Sequence, residues 1–162
     1  MDPITIRRAV PTDAPALTSL MLASSAYEGT YASILEGYRV TPDYVARHRV
    51  FLAEDPQGAP LGFSSLLCDP PELDLAFVAD EAQGSGVGRR LITHMLNEAR
   101  AAGFSGVRVV SHPPSEGFYR AMGAHRTGTL PPSPPKVTWE RPELWFTIED
   151  PALTPPVPAP SG

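Results

Sequence analysis

Glu72-Leu73-Asp74-Leu75-Ala76-Phe77-Val78, then Gln83-Gly84-Ser85-Gly86-Val87-Gly88, then the run from Arg89 onward, is the stretch that decides the fold. The first segment alternates with the period of a strand. The last opens an amphipathic helix, in which Val87, Leu91, Met95, Ala99 and Ala102 fall on one stripe supported by Ile92 and Leu96. Gly103 stands where a left-handed cap would close that helix. Between strand and helix, the glycines at 84, 86 and 88 leave backbone N–H groups free to surround an anion. The helix N-terminus adds partial positive charge at the same spot. Together these pieces predict a phosphate-holding device.

Outward from that centre the chain reads as alternating short elements. Ile4 to Arg8 predicts a first strand, and Thr12 or Asp13 a cap for a helix carrying Ala16, Leu17, Leu20 and Met21. Thr41-Pro42-Asp43 starts a second helix that runs to His48. Val50–Ala53 and Leu61–Leu67 predict a hairpin around the turn Asp55-Pro56-Gln57-Gly58, leading into the strand at 72–78. Val107–Val110 predicts a buried strand and Ser115–Met122 a short helix closed by Gly123. Two final strands are expected near Arg126–Leu130 and Thr138–Ile148. Residues 1–150 thus form one domain, and the proline-rich residues 151–162 an extended tail.

Composition narrows the function classes. The chain has 162 residues, enough for one domain with a core, and a net charge of −5, which argues against duplex nucleic acid as a partner. No apolar run reaches the eighteen or so residues that span a bilayer, and a strand begins almost at once, so no membrane partner and no secretory signal is expected. One cysteine, Cys68, makes neither an internal disulfide nor a cysteine metal cage. His48, His94 and His125 show no metal-ligand spacing. A cytoplasmic protein without a bound metal is the expectation.

Three phosphate-binding patterns compete for the glycine turn. A P-loop needs a Gly-Lys pair, and the chain has none. A dinucleotide fingerprint counted from Gly84 places Arg89 where its last glycine belongs. The remaining pattern, Gln-x-x-Gly-x-Gly between strand and helix, resembles the acyl-coenzyme A pyrophosphate loop of the GNAT (Gcn5-related N-acetyltransferase) superfamily. The similarity continues in His112-Pro113-Pro114-Ser115-Glu116-Gly117-Phe118-Tyr119-Arg120-Ala121-Met122-Gly123, one helix and one strand later, where family members carry Asn-Pro and Gly-Phe-Tyr. It is close over residues 72–125 and generic in element order over 4–67.

The resemblance implies an α/β fold with a mostly antiparallel sheet, splayed between the strands at 72–78 and 107–112 to admit the pantetheine arm of acetyl-CoA. It implies that the backbone of Phe77, Val78 and Ala79 pairs with that arm like an added strand. Amides from Gln83 through Gly84, Ser85, Gly86, Val87 and Gly88 would hold the pyrophosphate, with Arg89 or Arg90 adding charge. Tyr119 matches the family's general acid for the departing thiolate. The alternative for Tyr119 is a packing residue that only orients the thioester. His112, in place of the common Asn, is read either as a donor to cofactor, as a base, or as a strand-closing residue. Ser115 contacts cofactor or caps the short helix.

An amine acceptor must lose a proton to attack a thioester. Some members of the superfamily that this chain resembles place a base on this strand, eleven residues before the loop Gln. That implies Glu72 as the first choice of base here and Asp74, two residues on along the same face, as the second. Both are equally well read as solvated strand-end charges. Tyr27, Tyr31 and Tyr38, with Tyr44, Glu28 and Glu36, fall in the region that lines the acceptor site of the family, and suit a cationic or aromatic amine. Packing on the flank of the core is the other reading of each tyrosine. Trp139 and Trp145 fall in the last strands. The function expected is direct transfer of acetyl to the amine of a small molecule in a ternary complex, with a homodimer as one possible assembly. The alternatives are a protein or peptide acceptor, or an acyl-CoA-binding sensor without turnover.

Overall fold

The computed structural model describes residues 4–24, 38–135 and 137–148. Seven strands form one sheet: β1 (Thr5–Arg8), β2 (Arg49–Glu54), β3 (Pro60–Cys68), β4 (Pro71–Val78), β5 (Gly106–Val110), β6 (His125–Leu130) and β7 (Arg141–Thr147). Their spatial order is β1-β2-β3-β4-β5-β7-β6. Every neighbouring pair is antiparallel except β4 and β5. The helices are α1 (Ala14–Leu22), α2 (Pro42–Arg47), α3 (Val87–Ala101) and α4 (Glu116–Ala121). No helix among the described residues is long and apolar enough to cross a membrane.

The ends of these elements follow from local chemistry. Thr41 caps α2 by accepting the Tyr44 amide at 3.1 Å. Asp55 ties the β2–β3 turn by accepting the amides of Gln57 and Ala59. Gly103 and Gly123 stop α3 and α4 at φ +84° and +110°, conformations that a Cβ disfavours. Asp13 departs from expectation: its carboxylate accepts the Val10 amide and pairs with Arg7 instead of capping α1. Ser115 stands at the N-cap of α4 but makes no side-chain capping bond. Trp139 precedes β7 instead of lying within it.

The core divides into two clusters. One joins α1 and α2 through Leu17, Met21 and Val45 to Leu52, Phe63 and Phe77, and reaches Val87 and Leu91 at the start of α3. The other joins Ile92, Met95 and Ala99 of α3 to Leu66, Leu73, Val107, Leu144 and Phe146. Gly62 decides which face is which, because a Cβ there would meet Leu91 and Val87 of α3 at 3.0 and 3.2 Å. Phe63 and Ser65 therefore point away from α3, and their cross-strand partners Phe77 and Leu75 go with them. Leu66 and its partner Leu73 face α3.

Leu73 and Leu75, two apart in one strand, thus lie on opposite faces. The register explains it. Ser65 pairs with Leu75 and Leu66 with Leu73, so Asp74 is an extra residue, a β-bulge in β4. The regular alternation read from the sequence is broken at the one position where the carboxylate sits.

Candidate active site

β4 and β5 pair in parallel only at Glu72↔Arg108 and Leu73↔Val109. Beyond those two rungs the strands part, as the resemblance implied. A cavity of about 880 Å³ opens there, walled by Ala76, Phe77 and Val78 on one side and by Val110, Ser111 and His112 on the other. Gly84, Gly86, Val87, Gly88 and Arg89 line it at the start of α3, and Ser115, Phe118 and Tyr119 beside α4.

The glycine turn is built to leave donors unused. Gly84 and Gly86 take φ of +81° and +89°. The first backbone bond into α3 runs from the Arg90 amide to the Gly86 carbonyl at 3.1 Å. The amides of Gly84, Gly86, Val87 and Gly88 therefore find no acceptor among the described residues. Two amides expected in the same role are engaged: Gln83 donates to Asp80 O and Ser85 to Ala82 O. The Ser85 hydroxyl also donates to Ala82 O, and the Gln83 side-chain amide reaches back to Val78 O at 3.3 Å. Gly88 faces the Phe118 ring, 3.4 Å from where a Cβ would stand. The uncommitted amides at a helix N-terminus fit a pyrophosphate.

Tyr119 is 8% exposed and lines the cavity, its ring edge-on to Phe118 and Phe146 at centroid distances of 5.3 and 6.4 Å. His112 is 6% exposed on the same wall, and its carbonyl accepts from the Ser111 hydroxyl and the Ser115 amide. Ala79 closes β4 by donating to Leu61 O and does not line the cavity. Cys68 ends β3 away from the cavity.

Both carboxylates read from β4 line the cavity, and both face away from α3, but their surroundings differ. Glu72 is 3.4 Å from the Arg108 guanidinium, which also holds Glu143 at 2.5 Å. The two carboxylates keep Arg108 protonated above its ordinary range, the Glu143 hydrogen bond contributing most. Asp74 is exposed to the cavity and accepts from the Tyr44 hydroxyl at 2.5 Å. A carboxylate only accepts, so the single phenol proton goes to Asp74 and the buried Ser65 hydroxyl donates to Tyr44 at 2.7 Å. Ser65 in turn accepts the Leu75 amide at 3.0 Å. Burial first, and then the bond to Asp74, push the Tyr44 phenol far above its usual range. Tyr38 also lines the cavity, and burial followed by the charge of Asp74 raises its phenol as well. Tyr27, Tyr31, Glu28 and Glu36 lie outside the described residues.

Sequence reading missed the Tyr44–Ser65 pair behind Asp74. Nothing in the spacing of residues 44, 65 and 74 joins them; only the bulge and the docking of α2 do. It also missed Arg141, which opens β7 on the cavity wall.

The model of the acetyltransferase (GNAT) domain matches residues 33–130. No curated protein sequence gives a match. Among solved structures, YncA of Salmonella typhimurium with its cofactor acetyl-CoA superposes with a TM-score of 0.70 at 20% identity, covering 91% of this chain and 95% of that one. The ribosomal-protein-S18-alanine N-acetyltransferase of Escherichia coli gives 0.68 at 18%, covering 90% and 94%. A spermidine N-acetyltransferase SpeG chimera from Vibrio cholerae and hSSAT gives 0.69 at 18%, covering 90% and 96%. At these identities the likeness establishes the fold.

Proposed function

The chain belongs to the GNAT family of acetyltransferases, and from that premise we propose that it carries acetyl from acetyl-CoA directly to the amine of a small molecule. The observation that carries this reading is the parting of β4 and β5 after two rungs, beside four uncommitted amides and with Tyr119 in the cavity between.

In this reading Gly84, Gly86, Val87 and Gly88 hold the pyrophosphate, and the free edges of Phe77 and Val78 pair with the pantetheine arm. The thioester then lies in the cavity between the parted strands. Asp74 attracts the ammonium of the acceptor, which gives one proton to solvent before the neutral amine attacks the thioester; Asp74 takes the second proton as the new C–N bond forms and the nitrogen becomes acidic. Asp74 is preferred here over Glu72, because the ion pair with Arg108 already commits Glu72, whereas Asp74 spends one bond on Tyr44 and faces the cavity. Tyr44, held by Ser65, fixes the Asp74 carboxylate without taking its charge. Tyr119 gives its proton to the departing thiolate, a transfer between groups whose ordinary pKa values lie within about two units.

The deciding experiment is calorimetric titration with acetyl-CoA, followed in the same sample by thiol release against a panel of amines. Binding with acceptor-dependent release is the expected result. Binding with release only on peptide amines would move the acceptor to the protein class, and absence of binding would overturn the reading.

A further inference from the structure

We propose that Arg141 is the anion-binding residue of the acceptor subsite, and that the acceptor is a small zwitterion, an amine bearing a compact oxyanion such as a carboxylate or phosphonate. The inference rests on the acetyl-transfer reading and narrows its substrate class.

Arg141 is the first residue of β7 and pairs with Leu130, the last of β6; both line the cavity. Pro142, Leu144 and Phe146 are buried, and the latter two pack with Ile92 and Met95 of α3. Alternation therefore sends Arg141, Glu143 and Trp145 to the other face, the one that carries Glu72, Asp74 and Tyr44. The pyrophosphate loop leads into α3, so Arg141 lies on the face away from the helix that would hold the cofactor phosphates.

Among the described residues, two other cations line the cavity: Arg89 is exposed at the start of α3, beside the phosphate loop, and Arg108 is already paired. Arg108, on the neighbouring strand β5 and level with Trp145, has two carboxylates. The Arg141 side chain makes no ion pair or hydrogen bond among the described residues, and its Nε is buried without a partner. The two terminal guanidinium nitrogens are unpaired as well and are not buried, so on the cavity wall they are the donors a ligand can reach. The planar guanidinium presents paired N–H donors that match a carboxylate or a phosphonate.

The spacing suits a zwitterion. Leu73, immediately before Asp74, is level with Val109 and Leu144, and Arg141 stands three residues further along β7. Two strand spacings across and three residues along separate the Leu73 and Arg141 backbones by roughly 14 Å. Two side chains reaching into one cavity narrow that to the size of a small amino acid. Asp74 then takes the ammonium and Arg141 the oxyanion, an arrangement that a polyamine, which carries no anion, or a lysine side chain would leave half unused.

The test compares free α-amino acids, their carboxamides and aminoalkylphosphonates as acceptors of the full-length wild type, Arg141→Gln and Arg141→Lys. Acetyl-CoA calorimetry on each reports folding and the cofactor site. The readout is the ratio of kcat/KM for acid over amide, and its change between proteins cancels the different basicity of the two amines. Arg141→Gln is expected to lower the ratio roughly 10- to 100-fold and Arg141→Lys by less. Preference for the phosphonate over the carboxylate would identify which oxyanion the site takes. An unchanged ratio, or a wild type indifferent to the anion, overturns the proposal and leaves the acetyltransferase reading intact. So does an Arg141→Gln protein whose only defect is weaker acetyl-CoA binding, which would assign the arginine to the cofactor. Acetyl-CoA binding without release on any zwitterion also overturns it. No acetyl-CoA binding by the wild type would remove the underlying reading first.

Discussion

Gly86 separates the geometry of the phosphate loop from its electrostatics. Its φ is +89°, and a Cβ built on it meets nothing within 4 Å. Gly86→Ala therefore adds no clash and carries only the backbone penalty of the left-handed region, about 1–2 kcal/mol. Gly86→Glu carries the same penalty and adds one negative charge. A carboxylate about 6 Å from a phosphate held on the neighbouring amides, at an effective dielectric of about 20, raises the energy by roughly 3 kcal/mol. That is about 100-fold in affinity. Rotation of the exposed side chain into water reduces the effect, and salt reduces it further, because the Debye length is about 8 Å at 0.15 M and about 3 Å at 1 M. Calorimetry with acetyl-CoA should give Gly86→Ala an affinity within a few fold of wild type. Gly86→Glu should bind roughly 30- to 100-fold more weakly than Gly86→Ala at low salt, with the gap narrowing at 1 M salt. Equal affinities for the two variants at low salt, or a gap indifferent to salt, would refute a phosphate at this turn.

Tyr119→Phe should lower kcat about 100-fold while acetyl-CoA affinity, measured separately, stays within about twofold; normal turnover would remove the proposed acid. Asp74→Asn should lower kcat/KM for the amine about 100-fold near neutral pH, with the loss shrinking as pH approaches the amine's own pKa, whereas Glu72→Gln should cost less than tenfold. A steady-state pH profile of both variants checks the ordering, and a larger defect in Glu72→Gln reverses it. Burial and Asp74 raise the Tyr44 phenol above its unfolded value near 10, so its contribution to stability is complete below about pH 10 and is lost as pH rises beyond. Denaturant midpoints between pH 9 and 11 should therefore fall in the wild type and fall less in Tyr44→Phe.

The sequence made legible whatever is decided within a few residues. The glycine turn, the α3 stripe and the positions of all seven strands depend on local spacing, capping and φ preference, and the observed bounds differ by a residue or two at most ends except β7, which starts three residues later than expected. The parting of β4 and β5 was implied by family resemblance and not by periodicity. What escaped reading depends on contacts between distant residues. Asp13 looks like a cap until Arg7 and Glu54 are folded beside it, where the Arg7 hydrogen bond holds its carboxyl below the ordinary range. Glu72 and Asp74 look equivalent until Arg108 and Tyr44 arrive from other elements. Arg141 is one cation among many in the sequence, and only the fold places it unpaired on the cavity wall, on the face away from α3.

The bulge at Asp74 links fold to site. It falls immediately after Leu73, the last residue of β4 that pairs with β5. An inserted residue bends its strand and raises the local twist, and here the strand bends at the point where its ladder with β5 stops. The same insertion reverses the phase of the strand. Asp74 and Leu75 both turn away from α3, so Leu75 and Phe77 join the core of α1 and α2 while Ala76 is left facing the other cluster. A regular strand would have sent Leu75 and Phe77 toward α3, leaving the α1–α2 side without its Phe63–Phe77 stack at 5.7 Å. The packing of that half of the core therefore requires the bulge, independently of any chemistry. The space between the strands and the carboxylate at its edge both come with it, so the site is placed by the same packing that stabilises the sheet.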